Sequence, residues 1–187
     1  MTTNLDSIID VIIKNEGGYV NHPNDRGGPT NYGVIQSEYS RYLGRPATIE
    51  DVKKMPIAHA RDIFKKKYYF EPKINLLPDA LQPVVTDACV LYGPKRAIIF
   101  LQTILNKDRL DSDDPSKIKE LDVDGVLGPA TVLRAKEAVD EFPPYTVNAY
   151  VNERIRFCEA IVRNRPNQKV FLKGWTNRAN SFRMKTR

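Results

Sequence analysis

The chain has 187 residues, of which 41% are apolar and 28% are charged. That length and balance are typical of one ordinary domain, or of two small ones, with a buried core, and they exclude a disordered protein. The formal net charge of +6 is concentrated near the end, because residues 154–187 contain ten Lys or Arg and a single acidic residue, Glu159. Such a segment fits an anionic partner (nucleic acid, lipid or cell-wall polymer) or a solvated basic surface.

Apolar residues recur at helical spacing along most of the chain. The pattern predicts helices over residues 5–15, 80–92, 95–106, 129–141 and 146–164. Thr48 and Asp51 resemble a capping box that opens a short helix, although Asp replaces the usual Glu or Gln. Pro56 fits the first position of the helix that follows.

Residues 17–33 interrupt this helical pattern. They contain five of the ten glycines of the chain and have no helical period, so they predict turns and irregular backbone. After them, Val34 and Ile35, with Tyr32, predict one strand of a small hairpin. The sequence therefore predicts a mainly α-helical fold with a small β-hairpin near the N-terminus.

The cysteines and acidic loops give no metal-binding pattern. Cys89 and Cys158 stand 69 positions apart with no neighbouring Cys or His, and Cys158 lies on the apolar side of a helical pattern, which predicts a small core residue. Residues 120–125 partly resemble the start of a calcium-binding loop, but Thr131 stands at the position where such a loop needs a Glu that binds the ion with both carboxylate oxygens. We expect no metal and no cofactor.

The sequence shows no targeting or membrane-spanning segment. The apolar run of residues 8–13 is short and contains Asp10, which fits neither a signal peptide nor a span. We therefore expect the protein to accumulate in a reducing cytoplasm with free thiols. The basic end lacks a nucleic-acid-binding signature, so no nucleic-acid partner is expected. The oligomeric state stays open.

Glu16 and Asp25 are candidates for a pair of catalytic carboxyl groups. Glu16 follows an apolar helix, where partial shielding from water disfavours the charged form, and glycosidic cleavage needs a carboxyl group that donates a proton. Asp25 lies nine residues further on in a polar, turn-forming run, where it stays ionised and can activate water, and Thr30 can hold that water. The spacing alone fits purely structural roles as well as catalytic ones, because a glutamate near a helix end and an aspartate in an Asx turn are both common.

Residues 16–34, EGGYVNHPNDRGGPTNYGV, resemble the signature of glycoside hydrolase family 108, the N-acetylmuramidases found chiefly in phage and prophage lysis proteins. Some proteins of this kind are called secretion activators, a name that implies no chemistry. The resemblance implies a lysozyme-like catalytic part over residues 1–92, with Glu16 as the catalytic acid and Asp25 and Thr30 completing a triad. The candidate substrate-binding residues are Tyr19, Tyr32, Tyr69 and Trp175.

Residues 93–187 resemble the helical peptidoglycan-binding region that usually follows this catalytic part, and we expect the two parts to be closely packed. The motifs that carry the resemblance are residues 93–97, 100–102, 123–131 and 171–178. Two positions depart from the family. Tyr68 and Tyr69 stand where Tyr-Trp is frequent, so Tyr69 replaces a sugar-stacking Trp. Leu91 stands where Asn is frequent, which removes a polar ligand contact there.

The sequence thus predicts an N-acetylmuramidase that hydrolyses the β-1,4 bonds between N-acetylmuramic acid and N-acetylglucosamine and so lyses cells. Its expected partners are the glycan strands of peptidoglycan, reached after release through a holin or by cell breakage. Two alternatives stay open. A lytic transglycosylase also uses a Glu acid but closes the muramic ring without water, and the presence of Asp25 favours hydrolysis. A non-catalytic wall-binding or nucleic-acid-binding module would explain the basic end.

Overall fold

The structure, a computed structural model, describes residues 5–21, 28–110 and 119–186, with the backbone alone for residues 108–110. The described residues form a mainly helical fold. The α-helices are α1 (Leu5–Glu16), α2 (Gln36–Leu43), α3 (Ile49–Lys53), α4 (Ile57–Lys65), α5 (Gln82–Tyr92), α6 (Pro94–Leu110), α7 (Pro129–Glu141), α8 (Pro143–Asn164) and α9 (Lys169–Asn180). Strands β1 (Thr30–Asn31) and β2 (Val34–Ile35) form an antiparallel hairpin. The predicted mainly α-helical class with a small hairpin near the N-terminus is confirmed.

The chain divides into two compact units, and the division falls between Glu71 and Pro72. The N-terminal unit is Asn4–Glu71, and the C-terminal unit contains Pro72–Arg187. Helix α5 therefore belongs to the C-terminal unit, where it packs on α6. The boundary expected between residues 92 and 93 stays a prediction.

The N-terminal unit is built on α1 and α4, which pack against each other. Helix α1 places its isoleucines on one buried side, namely Ile8, Ile9, Ile12 and Ile13. Their spacing follows the period of 3.6 residues per turn, so a single stripe faces the core. The prediction of a helix over residues 5–15 is confirmed, and the helix extends by one residue to Glu16.

The short helix α3 begins with the capping box that the sequence predicted. The Asp51 backbone N–H donates to Thr48 Oγ1 at 3.1 Å, and the Thr48 backbone N–H donates to Asp51 Oδ2 at 2.8 Å. Pro56 is the residue before α4 and not its first residue. The sequence did not predict helix α2. Among its described side chains only Tyr39 is buried, so no repeat of apolar residues marks the helix.

The C-terminal unit encloses a charged cluster within its helical core. The side chains of Asp87 on α5 and Arg154 on α8 are both 0% exposed, and Arg154 Nη2 donates to Asp87 Oδ2 at 2.6 Å. Arg178 on α9 donates from Nε to the other oxygen, Oδ1, at 3.0 Å. Buried carboxylates and guanidinium groups tolerate burial when they are paired in this way. The cluster therefore joins three helices of one core.

The two cysteines are buried and free, so the predicted core position of Cys158 is confirmed. Burial raises the pKa of the Cys89 thiol to about 12. Since the thiolate is the reactive form of cysteine, this thiol is unreactive at neutral pH.

The loop before α7 is a tightly packed turn. Gly125 has φ +77°, and a Cβ atom there would lie 2.6 Å from Lys95 Cγ and 2.7 Å from the Lys95 backbone oxygen. Gln102 is buried and donates from Nε2 to Asp124 Oδ1 at 2.8 Å, while its Oε1 accepts from the Gly125 N–H at 2.9 Å. This motif of the sequence therefore has a structural role, the attachment of the turn to α6.

No helix in the described part of the chain combines the length and apolar character needed to cross a lipid bilayer.

Candidate active site

The hairpin turns at Tyr32 and Gly33, which connect β1 to β2. Both residues have positive φ angles, 52° for Tyr32 and 79° for Gly33, as a two-residue type I′ turn requires. The strands pair Thr30 with Ile35 and Asn31 with Val34. Tyr32 therefore lies in the turn, and its expected place in the strand was wrong. A non-glycine residue in this left-handed region is strained, and such residues concentrate at functional sites.

Glu16 lies directly against this turn. It is the last residue of α1 and is half-buried. A Cβ atom at position 33 would lie 3.0 Å from both Cβ and Cγ of Glu16 and 3.1 Å from its Oε2. Glycine at position 33 thus satisfies two demands, the positive φ of the turn and the close approach of the backbone to the Glu16 carboxyl group.

Thr30 is fixed on both sides within the same small sheet. Besides its pairing with Ile35, its backbone N–H donates to the Val20 carbonyl at 2.8 Å, and its carbonyl accepts from the Val20 N–H at 2.9 Å. The chain that leaves α1 at Glu16 therefore runs along β1. Tyr19, beside Val20, is half-buried. Asp25 lies outside the described residues, so its role as the second carboxylate stays a prediction.

A buried asparagine attaches the hairpin to α3. Asn31 Nδ2 donates to the backbone oxygens of Val52 at 2.9 Å and Lys53 at 3.2 Å. The last carbonyl groups of a helix lack partners within the helix, and this amide satisfies two of them. The position of the turn against Glu16 is therefore held by the core of the N-terminal unit.

A second group of polar side chains lies around a π-helical turn, which the sequence did not predict. Helix α4 continues into a π-helical turn, Lys66–Phe70. Lys67 Nζ in this turn lies 2.6 Å from Glu38 Oε1 on α2 and 5.0 Å from the centroid of the Tyr68 ring. Burial raises the pKa of Tyr68, the hydrogen bond and charge of Lys67 oppose that rise, and the charges of Glu38 and Glu16 add to it. The ion pair of Lys67 and Glu38 therefore joins this turn to α2 within the N-terminal unit.

The remaining predicted substrate-binding residues are placed differently. Tyr69 is 7% exposed, with its ring edge-on to Phe70 at 5.1 Å between ring centroids. Trp175 belongs to α9 of the C-terminal unit and stacks on Phe171 at 5.8 Å. Both residues keep their substrate-binding roles as predictions. Within the described ranges, no group of three or more His, Cys, Asp or Glu side chains is placed to hold a metal ion.

The structure thus places the half-buried carboxyl group of Glu16 in a small helical unit, beside the turn of the hairpin at Gly33. A partly shielded carboxyl group of this kind is compatible with a glycoside hydrolase, whose chemistry uses carboxyl groups beside the scissile bond. Residues 9–93 match the family model of Glycosyl hydrolase 108, and residues 96–180 match the model of the Predicted Peptidoglycan domain. The chain therefore contains a glycoside hydrolase family 108 domain followed by a peptidoglycan domain, so the resemblance read from the sequence is confirmed.

A solved structure agrees with this assignment along nearly the whole chain. SagA from Brucella abortus is 26% identical to this protein, with a TM-score of 0.70, and the match covers 95% of this chain and 90% of that chain. No curated protein sequence matches. The order of the two domains supports a cell-wall hydrolase with peptidoglycan as its substrate or partner.

Proposed function

We propose that this protein is an N-acetylmuramidase that hydrolyses the β-1,4 bond between N-acetylmuramic acid and N-acetylglucosamine in peptidoglycan. Glu16 donates a proton to the leaving glycosidic oxygen. Asp25 positions or activates the attacking water, and Thr30 assists. The observation that carries the proposal is the contact between the Glu16 side chain and the Gly33 turn.

This contact supports an acid role because of what it leaves around Glu16. A glycine backbone with no Cβ atom lies against one side of the side chain, so the carboxyl group is shielded on that side, while Glu16 as a whole is only half-buried. A carboxyl group that protonates a glycosidic oxygen needs both partial shielding and access for the substrate. Glu16, half-buried at the end of α1, has this combination.

The decisive experiment measures the release of reducing ends from purified peptidoglycan by the Glu16→Gln variant. Loss of general acid catalysis is expected to lower the rate by about 10²–10⁴-fold. Glu50→Gln is the matched control, because Glu50 is an exposed glutamate of the same unit, paired with Lys54 at 3.0 Å. A Glu16→Gln variant with the rate of the wild type would refute the proposal.

The products distinguish hydrolysis from the lytic transglycosylase alternative. Mass spectrometry of wild-type digests is expected to show reducing muropeptides, which have gained water. Anhydro-muropeptides as the main product would show that no water attacks, so Asp25 would not activate water. Asp25→Asn is expected to lower the rate of hydrolysis, and an unchanged rate would remove Asp25 from the mechanism.

We assign a wall-binding role to the surface of α9, supported by its side chains. Phe171 is 52% exposed and stacks on Trp175, while Lys169 and Lys173 on the same helix are exposed. Aromatic rings beside cations suit the apolar faces of sugars and the carboxylates of the wall. Trp175→Ala is expected to reduce sedimentation with insoluble peptidoglycan, whereas Leu133→Ala, on an exposed part of α7, is expected to leave it unchanged. Equal sedimentation of both variants would contradict this role.

Accumulation in the cytoplasm and release through a holin form a separate proposal. It is tested by fractionation of intact cells that express the full chain with or without a holin. Activity outside the cells in the absence of a holin would contradict it.

A further inference from the structure

One face of α8 lines a cavity within the C-terminal unit. Tyr145, Asn148, Asn152 and Arg156 follow one another at intervals of three or four residues, so they share one side of the helix, and all four line the cavity. Its volume is about 360 Å³, and residues of α6, α7 and the segment after α9 complete its walls. This volume lies within the range of small-ligand sites.

The walls of the cavity combine an apolar part with a cationic part. Ile104 and Leu105 on α6 and Ala138 on α7 are buried and apolar. Lys107 on α6 and Arg156 on α8 are exposed, so they are accessible to a ligand from solvent. None of the described residues that line the cavity is acidic. The cavity therefore suits a small ligand that has both a negative charge and an apolar group.

The two cations share a single carboxylate next to the cavity. Lys107 Nζ and Arg156 Nη1 both donate to Glu153 Oε2, at 2.9 Å and 3.0 Å. One negative charge does not neutralise two positive ones, so the pair keeps a net positive charge. Among the described residues, the hydrogen bonds of Arg156 use Nη1 alone. A guanidinium group has five N–H donors, so Arg156 has donors left for an anion.

Arg183 adds a third cation and fixes the orientation of the Asn152 amide. Arg183 Nη2 donates to Asn152 Oδ1 at 2.5 Å, and its Nε donates to Asn180 Oδ1 at 2.7 Å. Because a guanidinium group only donates, the atom that it meets on Asn152 is the amide oxygen, and Nδ2 takes the other position. Asn152 therefore supplies an oriented neutral donor at the cavity, beside the cations.

The segment that follows α9 is attached to α8 at the same place. Asn148 Nδ2 donates to the Met184 carbonyl at 3.0 Å, and the Met184 N–H donates to Asn148 Oδ1 at 3.1 Å. This pair of hydrogen bonds holds the backbone that brings Thr186 to the cavity wall. A preformed wall lowers the entropy cost of ligand binding.

We propose that this cavity binds the carboxylate end of a stem peptide of peptidoglycan. Lys107 and Arg156 bind the carboxylate, Asn152 donates a hydrogen bond, and the apolar wall receives an alanine methyl group. The proposal rests on the proposed function, because it takes peptidoglycan as the substrate. The model of the Predicted Peptidoglycan domain matches residues 96–180, which include the lining residues of α6, α7 and α8.

The main test is a calorimetric titration of the full-length protein with N-acetyl-D-alanyl-D-alanine. The same peptide with a C-terminal amide is the matched ligand without the charge, and it is expected to bind about tenfold more weakly or less, because a charge-assisted hydrogen bond is lost. Equal affinities for the two peptides, or no binding of either, would overturn the proposal.

Two arginine variants test the position of the site. Arg156→Gln is expected to weaken binding of the acid form about tenfold. Arg163→Gln removes the same charge from an exposed position two turns further along α8, outside the cavity lining, and should leave the affinity unchanged. Thermal unfolding verifies that both variants are folded. Equal losses in the two variants would show a nonspecific effect of charge and refute the site.

Two further arms exclude other ligands and another surface. Inorganic phosphate is negatively charged but has no apolar group, so it should bind more weakly than the peptide; tighter binding of phosphate would replace the peptide by a phosphate-bearing ligand. Trp175→Ala, on the surface of α9, should bind the peptide as the wild type does. A loss in Trp175→Ala without one in Arg156→Gln would place the peptide on α9 and overturn the proposal.

Release of reducing ends, measured on the same wild-type preparation, separates this proposal from the proposed function. Peptide binding without release of reducing ends would remove the glycosidase proposal and leave the peptide site standing. Release of reducing ends without peptide binding would remove the peptide site alone.

Discussion

The two units of the protein each contain a carboxylate shielded from water, and the two carboxylates have opposite surroundings. Asp87 in the C-terminal unit is 0% exposed, and both of its oxygens accept hydrogen bonds from guanidinium groups, those of Arg154 and Arg178. Glu16 in the N-terminal unit is half-buried against the Gly33 backbone. Deep burial with complete pairing indicates a structural charge, whereas partial burial beside a glycine turn leaves room for a substrate.

Two glycines repeat this contrast. Gly33 and Gly125 both have left-handed φ angles, +79° and +77°. A side chain at position 33 would press on the Glu16 side chain, but one at position 125 would meet the backbone oxygen of Lys95 at 2.7 Å. In the N-terminal unit, Gly33 allows the turn to approach the candidate acid. In the C-terminal unit, Gly125 allows the loop before α7 to pack tightly against α6.

The largest expected effect on stability tests the contrast between the carboxylates. Asp87→Ala leaves Arg154 buried without its partner, which is expected to lower the free energy of unfolding by about 3–5 kcal/mol. Asp140→Ala, at an exposed position on α7, should change it little. Urea unfolding of both variants measures the difference, and near-equal midpoints would remove the structural role of the cluster.

Gly125→Ala tests the glycine of the C-terminal unit. Left-handed strain and the clash with Lys95 are expected to cost about 2–5 kcal/mol of unfolding free energy. Gly128→Ala is the control, because Gly128 has φ −86° and open space around its Cβ position. Thermal unfolding checks both variants. A Gly125→Ala protein as stable as the wild type would show that the loop moves freely away from α6.

Gly33→Ala should separate activity from stability in the N-terminal unit. The left-handed φ costs about 1–2 kcal/mol, while displacement of the Glu16 side chain is expected to lower kcat/KM by about tenfold or more. Gly44→Ala carries similar strain at φ +69° with nothing near its Cβ position, so it should lose similar stability but keep its activity. If both variants keep full kcat/KM when folded, the contact between Gly33 and Glu16 has no catalytic importance.

The smallest expected effect concerns the capping box of α3. The hydrogen bond from Arg45, followed by those from Thr48, holds the pKa of Asp51 well below its usual value. A carboxyl group with a depressed pKa in the folded state stabilises the fold above its unfolded pKa of about 4, and this contribution disappears as the pH falls below that value. Asp51→Asn should therefore lower the melting temperature slightly at pH 7. The decrease in melting temperature between pH 7 and pH 3 should be smaller for this variant than for the wild type. An unchanged acid dependence would contradict this role.

Much of the N-terminal unit could be predicted because its signals are local in sequence. The isoleucine period predicted α1, the pair Thr48 and Asp51 predicted the start of α3, and the glycine-rich run predicted turns near Glu16. Helix α2 escaped prediction because Tyr39 is its one buried residue among the described side chains. Tyr32 was expected in a strand because an aromatic beside β-branched residues favours one, whereas a positive φ is a property of the completed turn.

The sequence by itself determined the helical class, the family signature and the identity of the candidate acid, since each depends on residues close together in the chain. Tertiary structure alone brought Gly33 against Glu16, Lys67 to Glu38, and Asp87 to two arginines. The physical reason is that periodicity records which side of an element is buried, while contacts between distant segments depend on how all the elements pack together.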